Sequence, residues 1–404
     1  MKPPVLVLDG HTTQALACVR SLGRAGYPVY VAGVRRWPLA AASRHCRGSR
    51  RLDGETLTSF TALRAWARRR GIRLVLPLTE RSCLLCVADA AAWRADGIEL
   101  GCGPEDMLLG AFDKAQSLRR AAELGIAIPP SRFPTSLPDF GLAAQELGYP
   151  CVVKARFSYA WHDGVLLADP GVAYVASPNE LTPAVLARRQ GPHWPLIQRY
   201  VPGSGKGVFA LCDHGDPVAW FAHQRLRDVR PSGSGSSLRR SVPIDPRLQQ
   251  LAVTFLKDRA WHGPAMLEFR DDGVTSPWLM EVNGRFWGSL QLAIAAGVDL
   301  PLLWVRILTQ QPIAAPSGFR PDVTLRWLWG DMKRLLFIAA GPPTGFPGPY
   351  PRLWQGLREV FGPQPAGTHS ETWDVHDPWP ALAEWVQGLA ELVSVSRPQG
   401  RRFA

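Results

Sequence analysis

The chain has 404 residues, 46% apolar and 20% charged, with 46 Lys and Arg against 34 Asp and Glu and a formal charge of +12. That length accommodates two or three domains, the composition excludes long disorder, and no apolar run reaches the ~18 residues a spanning helix needs. Lysine is confined to Lys2, Lys114, Lys154, Lys206, Lys257 and Lys333, and the arginine excess is scattered among alanine and proline, so we expect small acidic substrates rather than a nucleic-acid partner.

The first elements read as βαβ. PVLVLDG is an apolar strand leaving through Asp9-Gly10, and Thr12 or Thr13 caps a helix with apolar Ala15, Leu16, Val19 and Leu22. YPVYVAGV is the next strand, a helix spans about Thr56 to Arg70, and IRLVLPLTE is a third strand whose end offers Thr79 as a cap. Alternation of this kind predicts a parallel sheet, with Asp9 to Thr12 and Thr79-Glu80 beyond its strand ends, where ligands sit. No G-x-G-x-x-G is present, which disfavours a nicotinamide site. Cys83 and Cys86 form a lone C-x-x-C inside CLLCVADAAAW, a helix, and read as core packing. The seven cysteines suggest no disulfide framework. The N-terminus lacks the pattern of a signal peptide, so the expected compartment is the cytoplasm.

A boundary is expected near Gly101 to Gly110. Beyond it come a helix from Asp113 to Leu124, the proline-rich GIAIPPSRFP, a helix ending at Gly148 and the strand YPCVVKAR. Trp161 to Gln190 reads as loop-rich with one strand and one helix. PLIQRYV is a strand, and GVFALCD and PVAWFAHQRLR form a hairpin across His214 to Asp216. Pro231 to Ser237 reads as a flexible loop, a mobile phosphate cover or only a linker, and the flanking Arg225, Arg227, Arg230, Arg239 and Arg240 favour the cover. Helix Pro246 to Trp261 leads to the strands PAMLEFRDD and SPWLMEVNGR, then to a helix from Leu290 to Ala296. From Pro312 the composition turns to proline, glycine and tryptophan, and 312–404 reads as a C-terminal appendage.

Glu268 in AMLEFR and Glu281, Asn283 and Arg285 in WLMEVNGR carry the chemistry. Strand alternation puts Glu281 and Asn283 on one face, and antiparallel pairing of the two strands can set Glu268 opposite Glu281. Two carboxylates and an amide oxygen then make a hard-cation site, suited to magnesium shared with nucleotide phosphates, while Arg285 offers a fork for a phosphoryl group or carboxylate. Acids in hydrophobic strands are costly unless neutralised, which argues against plain surface ion pairs. Lys154 ends an apolar strand and suits a phosphate. Lys114 opens a helix, where a bound anion would offset the macrodipole. GSGKG at Gly203 to Gly207 fails as a Walker A motif, because Tyr200 and Gly207 stand where Gly and Ser or Thr are required. No G-x-S-x-G or H-E-x-x-H occurs, so hydrolase and zincin readings lack support.

In order and spacing, the βαβ start, FDKAQSLRRAAELGIAIPPS, CVVKAR, LIQRYVPGSGKG, the hairpin, AMLEFR and LMEVNGRFWGS resemble the ATP-grasp superfamily up to about Gln310. The match is closest to the carboxylate-amine ligase branch, similar to the carbamoyl-phosphate-synthase type of domain. The resemblance implies an α/β chain with a Rossmann-like parallel-sheet domain (1–110), an ATP-grasp domain whose α+β subdomains clasp ATP (111–311) and the appendage (312–404). It implies that Lys114 and Lys154 contact ATP phosphates, and that Gln198 meets the adenine amino group with Tyr200 and Val201 beside the ring. Glu268, Glu281 and Asn283 would hold Mg2+, or Mn2+, and Arg285 would contact the transferred phosphoryl group. Gln198 stands where the family often has Glu, and RFSYAWHDGV is not a clean glycine-rich loop.

The implied chemistry activates a carboxylate as an acyl phosphate and joins it to an amine, releasing ADP and phosphate. Arg225 or Arg230 would hold the acid, and His223 and His162 are the candidate bases. The substrates would be small molecules. Two rival readings keep other options open: a non-amine acceptor or phosphoryl transfer alone, and a nucleotide-binding subunit without turnover. A membrane-surface reading rests on Trp327, Trp329, Trp354, Trp373, Trp379 and Trp385 beside KRLLF; packing of these aromatics onto the catalytic body is the preferred account. The oligomeric state stays open, a homodimer among the options.

Overall fold

In the computed structural model, which describes residues 2–274, 277–314 and 316–395, the N-terminal part runs β1 (Val5–Val7), α1 (Thr13–Arg24), β2 (Val29–Gly33), β3 (Cys46–Arg51), α2 (Leu57–Arg69), β4 (Leu74–Leu76), α3 (Glu80–Val87), α4 (Ala90–Ala95) and β5 (Glu99–Leu100). Ser276 of the second acidic strand, and residues 315 and 396–404 of the expected appendage, lie outside the described residues. The strands pair in parallel in the order β3-β2-β1-β4-β5. Thr12, Thr56 and Thr79 each cap the helix that follows by accepting an N–H three residues on, a contact that stabilises a helix by about 1 kcal/mol. Cys83 and Cys86 are buried on α3 among leucines and Trp93, and the neighbouring Cys102, then burial, push the Cys83 thiol well up. β3 is absent from the sequence reading because CRGSRR has no apolar alternation; its partner β2 makes it a strand.

The expected boundary at 101–110 is occupied by α5 (Glu105–Phe112), which leads directly into α6 (Lys114–Glu123). A small lobe follows: β6 (Ser131–Arg132), α7 (Leu137–Leu147), β7 (Cys151–Lys154), β8 (Tyr159–His162), β9 (Val165–Ala168), β10 (Val172–Val175), α8 (Pro178–Leu186) and β11 (Leu196–Arg199). Its sheet is ordered β10-β7-β11-β6 with its own core around Phe140, Val153 and Ile197, and β8 and β9 form a separate hairpin. The segment Trp161 to Gln190 thus holds more strand than its composition suggests.

The large lobe is built on β12 (Ser204–Asp213), β13 (Asp216–Arg230), β14 (Ser234–Ser241), α9 (Pro246–Asp258), β15 (Gly263–Asp271) and β16 (Trp278–Asn283), followed by α10 (Leu290–Ala295), α11 (Leu300–Leu308), β17 (Thr324–Arg326), α12 (Leu328–Ala340), α13 (Leu353–Phe361), β18 (His369–Ser370) and α14 (Trp379–Val395). Its sheet runs β16-β15-β12-β13-β14-β17-β18. One expectation changes here. Most of the flexible loop is strand: only 231–233 form a turn, while Ser234 and Ser236 pair with Arg230 and Asp228. GSGKG opens β12, with Lys206 bonded to Asp271 at 2.6 Å.

The segment expected as a C-terminal appendage makes contacts with the large lobe and with α1. β17 pairs with β14, buried Asp331 binds Arg227 at 3.1 Å and Arg326 at 2.6 Å, and buried Asp377 binds Arg20 of α1 at 2.9 Å. Composition hides these contacts because ion pairs between residues far apart in the chain leave no local pattern. Trp329 is buried against Trp385, and Trp327 donates to Glu384 at 2.6 Å. Trp354, Trp373 and Trp379 stay exposed, so the packing account covers only the first three. Among the described residues no helix is long and apolar enough to cross a membrane.

Candidate active site

β15 and β16 run antiparallel with Glu268 directly opposite Glu281. Alternation along β16 sets Asn283 on the face of Glu281; Asn283 is buried and both glutamates are half-buried. The register shifts just after Glu268, so that Phe269 faces Leu279. Such bulges bend a strand and re-aim its side chains, and they are frequent beside active sites.

Cations converge on these oxygens from three elements. Lys114, the first residue of α6, reaches Glu281 at 3.6 Å and donates to Ser158 at 3.2 Å. Burial pulls its pKa down, but Glu281, Glu80 and Asp169 outweigh this and raise it overall. These carboxylates, with the helix capped separately by Asp113, account for a cation at a helix start. Lys154 ends β7; desolvation brings its ammonium down to about 8, against the opposing pull of Glu281. Arg225 on β13 donates to Glu268, whose charge raises the arginine's pKa. Arg285 lies 3.6 Å from Glu80 and donates to Asn283 at 3.4 Å. Burial raises the Glu80 pKa, while Arg285 and Lys114 pull it back.

Gln198 lies on β11 in the small lobe, fully buried, with its amide N–H donating to Ser131 at 2.8 Å. Its carbonyl oxygen has no hydrogen-bond partner among the described residues. A buried orphan acceptor is costly, and an exocyclic amine is the group that would satisfy it. Val201 is buried and accepts from Arg270 at 3.4 Å; Tyr200 lies edge-on to Tyr174, with ring centroids 6.3 Å apart. Tyr174 in turn donates to Ser232 at 3.2 Å, so the 231–233 turn already touches the small lobe.

Next to Glu268 and Arg285 lies a cavity of about 410 Å³. Its floor is Phe209, His223 and Trp287, its wall on one side is His11 to Gln14 after β1, and its far wall comes from Trp327 just ahead of α12, Trp329 of α12, and Glu384 and Gln387 of α14. Arg225, Arg239, Arg285 and Lys333 make the lining cationic. His223 is buried, stacked on Phe209 and bonded through Nε2 to Ser289 at 2.8 Å; desolvation, then Arg225 and Arg239, hold its pKa well below the ordinary value. That leaves it neutral and a weak base. His162 is exposed on β8, beside Asp163 and outside the cavity lining.

Arg230 is placed elsewhere. It is exposed, with its guanidinium 5.1 Å from the ring centre of Phe337, on the face of β13 turned to α12. Irregular register between Arg225 and Asp228 breaks simple alternation along β13, and sequence spacing does not reveal such shifts. Glu80 falls where the strand-end argument put ligands, but Ser158 and the α12 and α14 residues were missed as site members. Glu80 had a signal, an acid in the first turn after a strand end; the others have none without tertiary contacts.

The family model described as "ATP-grasp in the biosynthetic pathway with Ter operon" matches residues 193–330, about a third of the chain. No curated protein shows a significant sequence match. Among solved structures, a biotin carboxylase complex from Campylobacter jejuni superposes with a TM-score of 0.64 at 15% identity, covering 80% of this chain and 74% of its own. The biotin carboxylase domain of 2-oxoglutarate carboxylase from Hydrogenobacter thermophilus, solved with MgADP and bicarbonate, gives 0.61 at 18%, covering 80% and 73%. N5-carboxyaminoimidazole ribonucleotide synthetase from Thermus thermophilus gives 0.61 at 17%, covering 79% and 82%. At these identities the likeness concerns the fold.

Proposed function

We propose that this chain, a member of the ATP-grasp superfamily, is an ATP-dependent ligase that activates a small carboxylic acid and joins it to an amine. One observation carries the reading: Glu268 and Glu281 face each other across neighbouring strands, with Asn283 beside them and Lys114, Lys154, Arg225 and Arg285 around them. That donor set fits Mg2+, and the cations fit phosphates. MgATP, when bound, supplies the phosphoryl group that makes the carboxylate reactive.

The chain's own residues do the rest. Glu268, Glu281 and Asn283 would hold the metal, Lys114 and Lys154 would neutralise phosphate oxygens, and Gln198 with Tyr200 and Val201 would seat the base. Arg285 and Arg225 reach the cavity from the metal side and would orient the acid for in-line attack, stabilising charge without exchanging protons. The aromatic floor would bury the organic part of the substrate and exclude water from a hydrolysable acyl phosphate. A deprotonated amine would enter without needing a strong base, which suits the weakly basic His223.

The test incubates the protein with MgATP and pooled acids, with and without pooled amines, and follows ADP and hydroxylamine-trapped hydroxamate. Acid-dependent ADP and hydroxamate, with an amide once amines are added, support the reading. ADP and hydroxamate with no amine product would move the acceptor to another class. No ADP under any condition would favour a binding subunit without turnover.

A further inference from the structure

The β12–β13 hairpin turn packs on the α9–β15 connection, with Gly215 N–H bonded to Trp261 O at 2.7 Å. At that contact Asp213, His214 and His262 bring one ligand atom each within 4.8 Å of one another. The two imidazoles lie with ring centroids 4.1 Å apart, and both turn Nδ1 toward the same carboxylate oxygen, at 2.7 Å for His214 and 3.2 Å for His262. His214 has the geometry of a hydrogen bond to Asp213; His262 does not, and its Nδ1 is buried without a hydrogen bond. His262 is held in place by the Trp304 ring at 5.0 Å, which itself donates to Gly101 at 3.0 Å.

We propose that Asp213, His214 and His262 form a binding site for a divalent cation of the zinc class. Two imidazoles and one carboxylate are the donor set of late first-row metals, not of magnesium. Bonds of about 2.1 Å at tetrahedral angles separate ligand atoms by roughly 3.4 Å. The His262 to Asp213 separation already approaches that value. His214, at 2.7 Å, needs to open by roughly 0.7 Å, and it is the exposed residue of a turn. The site lies at the opposite end of β15 from the carboxylates, since Cys212 pairs with Gly263 where Gly207 pairs with Glu268. Five residues of strand are roughly 17 Å, so a metal here clamps the hairpin to the 258–263 connection and takes no part in catalysis.

The experiment uses the untagged full chain, stripped with a chelator and held in excess Mg2+, titrated with Zn2+ by calorimetry and by its unfolding midpoint. The expected result is one Zn2+ per chain and a raised midpoint. His214→Asn keeps a residue that tolerates the positive φ of 49° there, and should weaken Zn2+ binding roughly 100-fold and abolish the midpoint shift. His262→Gln should do the same. Glu281→Gln should bind Zn2+ as the wild type does. The proposal is overturned if the wild type takes up no Zn2+ under excess Mg2+, if His214→Asn keeps wild-type affinity, or if Glu281→Gln loses it. His214→Asn decides the matter even if His262→Gln fails to fold, because His214 is on the surface.

Discussion

Two strand pairs of the same sheet flank the candidate site and are stabilised in different ways. β15 and β16 are largely apolar strands that bury Leu267, Phe269, Leu279 and Val282 and set Glu268 against Glu281 between them. β13 and β14 turn through Pro231 to Gly233, and the second strand is written in serine, glycine and arginine. Its stability comes from outside: Arg239 binds buried Glu371, β17 pairs along its edge, and Arg227 of the adjoining β13 binds Asp331 of α12. The first pair carries its reason for being a strand in its own sequence. The second is a strand because the C-terminal segment makes it one.

The sharpest way to separate the two is to remove charge from the first. Glu281→Gln keeps the side chain's shape and the pairing of β16, so circular dichroism and the unfolding midpoint should hold near wild type. The loss of a ligand charge for a cation that contributes several kcal/mol to the transition state should lower ADP release on the order of 1,000-fold. Normal ADP release would remove the metal assignment.

The second pair should break when its outer support is cut. Asp331 is wholly buried between Arg227 and Arg326. Removing one partner of a buried ion pair leaves uncompensated charge and costs about 3–5 kcal/mol. Asp331→Ala should lower the urea midpoint accordingly and open the 231–241 segment to protease, although the change lies in a segment whose composition looks dispensable. An unaltered midpoint and cleavage pattern would show that β14 needs no such support.

This contrast also marks how far the sequence could be read. The parallel sheet, the threonine caps, the β12–β13 hairpin and the opposition of Glu268 and Glu281 follow from periodicity and turn residues, which act over a few positions. β3, β14, β17 and the wall that α12 and α14 give the cavity do not. CRGSRR and SGSSLRRS have no apolar period, and their pairing depends on neighbours far along the chain. The bulges at Arg225 to Asp228 and after Glu268 leave no local mark either.

Lys154 gives a smaller effect that probes the nucleotide side of the acidic pair. Its pKa near 8 places protonation, and hence attraction for phosphate, below that pH. If bound phosphate requires the charged form, affinity is full at pH 7 and falls as pH rises through 8, to roughly tenfold weaker at pH 9. Lys154→Arg, charged throughout, should flatten that profile, while adenosine binding should show no such dependence in either protein. A wild-type nucleotide affinity that is level from pH 7 to 9 would separate Lys154 from the phosphates.

The smallest expected effect falls on the outer face of the second pair. Arg230 follows Arg225 on β13, and charge alone makes both candidates to hold an acid. The structure separates them: Arg225 lines the cavity and donates to Glu268, whereas Arg230 is exposed and lies over Phe337. A cation over an aromatic ring at an exposed position contributes about 0.5–1 kcal/mol, and none of that bears on a substrate in the cavity. Arg230→Ala should therefore change the half-saturation value for the acid less than about twofold, and lower stability by no more than that cation–π contribution. Arg225→Ala should raise the same value by tenfold or more, because a charge-assisted hydrogen bond to a carboxylate is worth about 1.5–3 kcal/mol. If Arg230→Ala instead weakens the acid as strongly as Arg225→Ala, the substrate must reach around the strand to the α12 face, and the cavity between Phe209 and Trp329 is not where the acid binds.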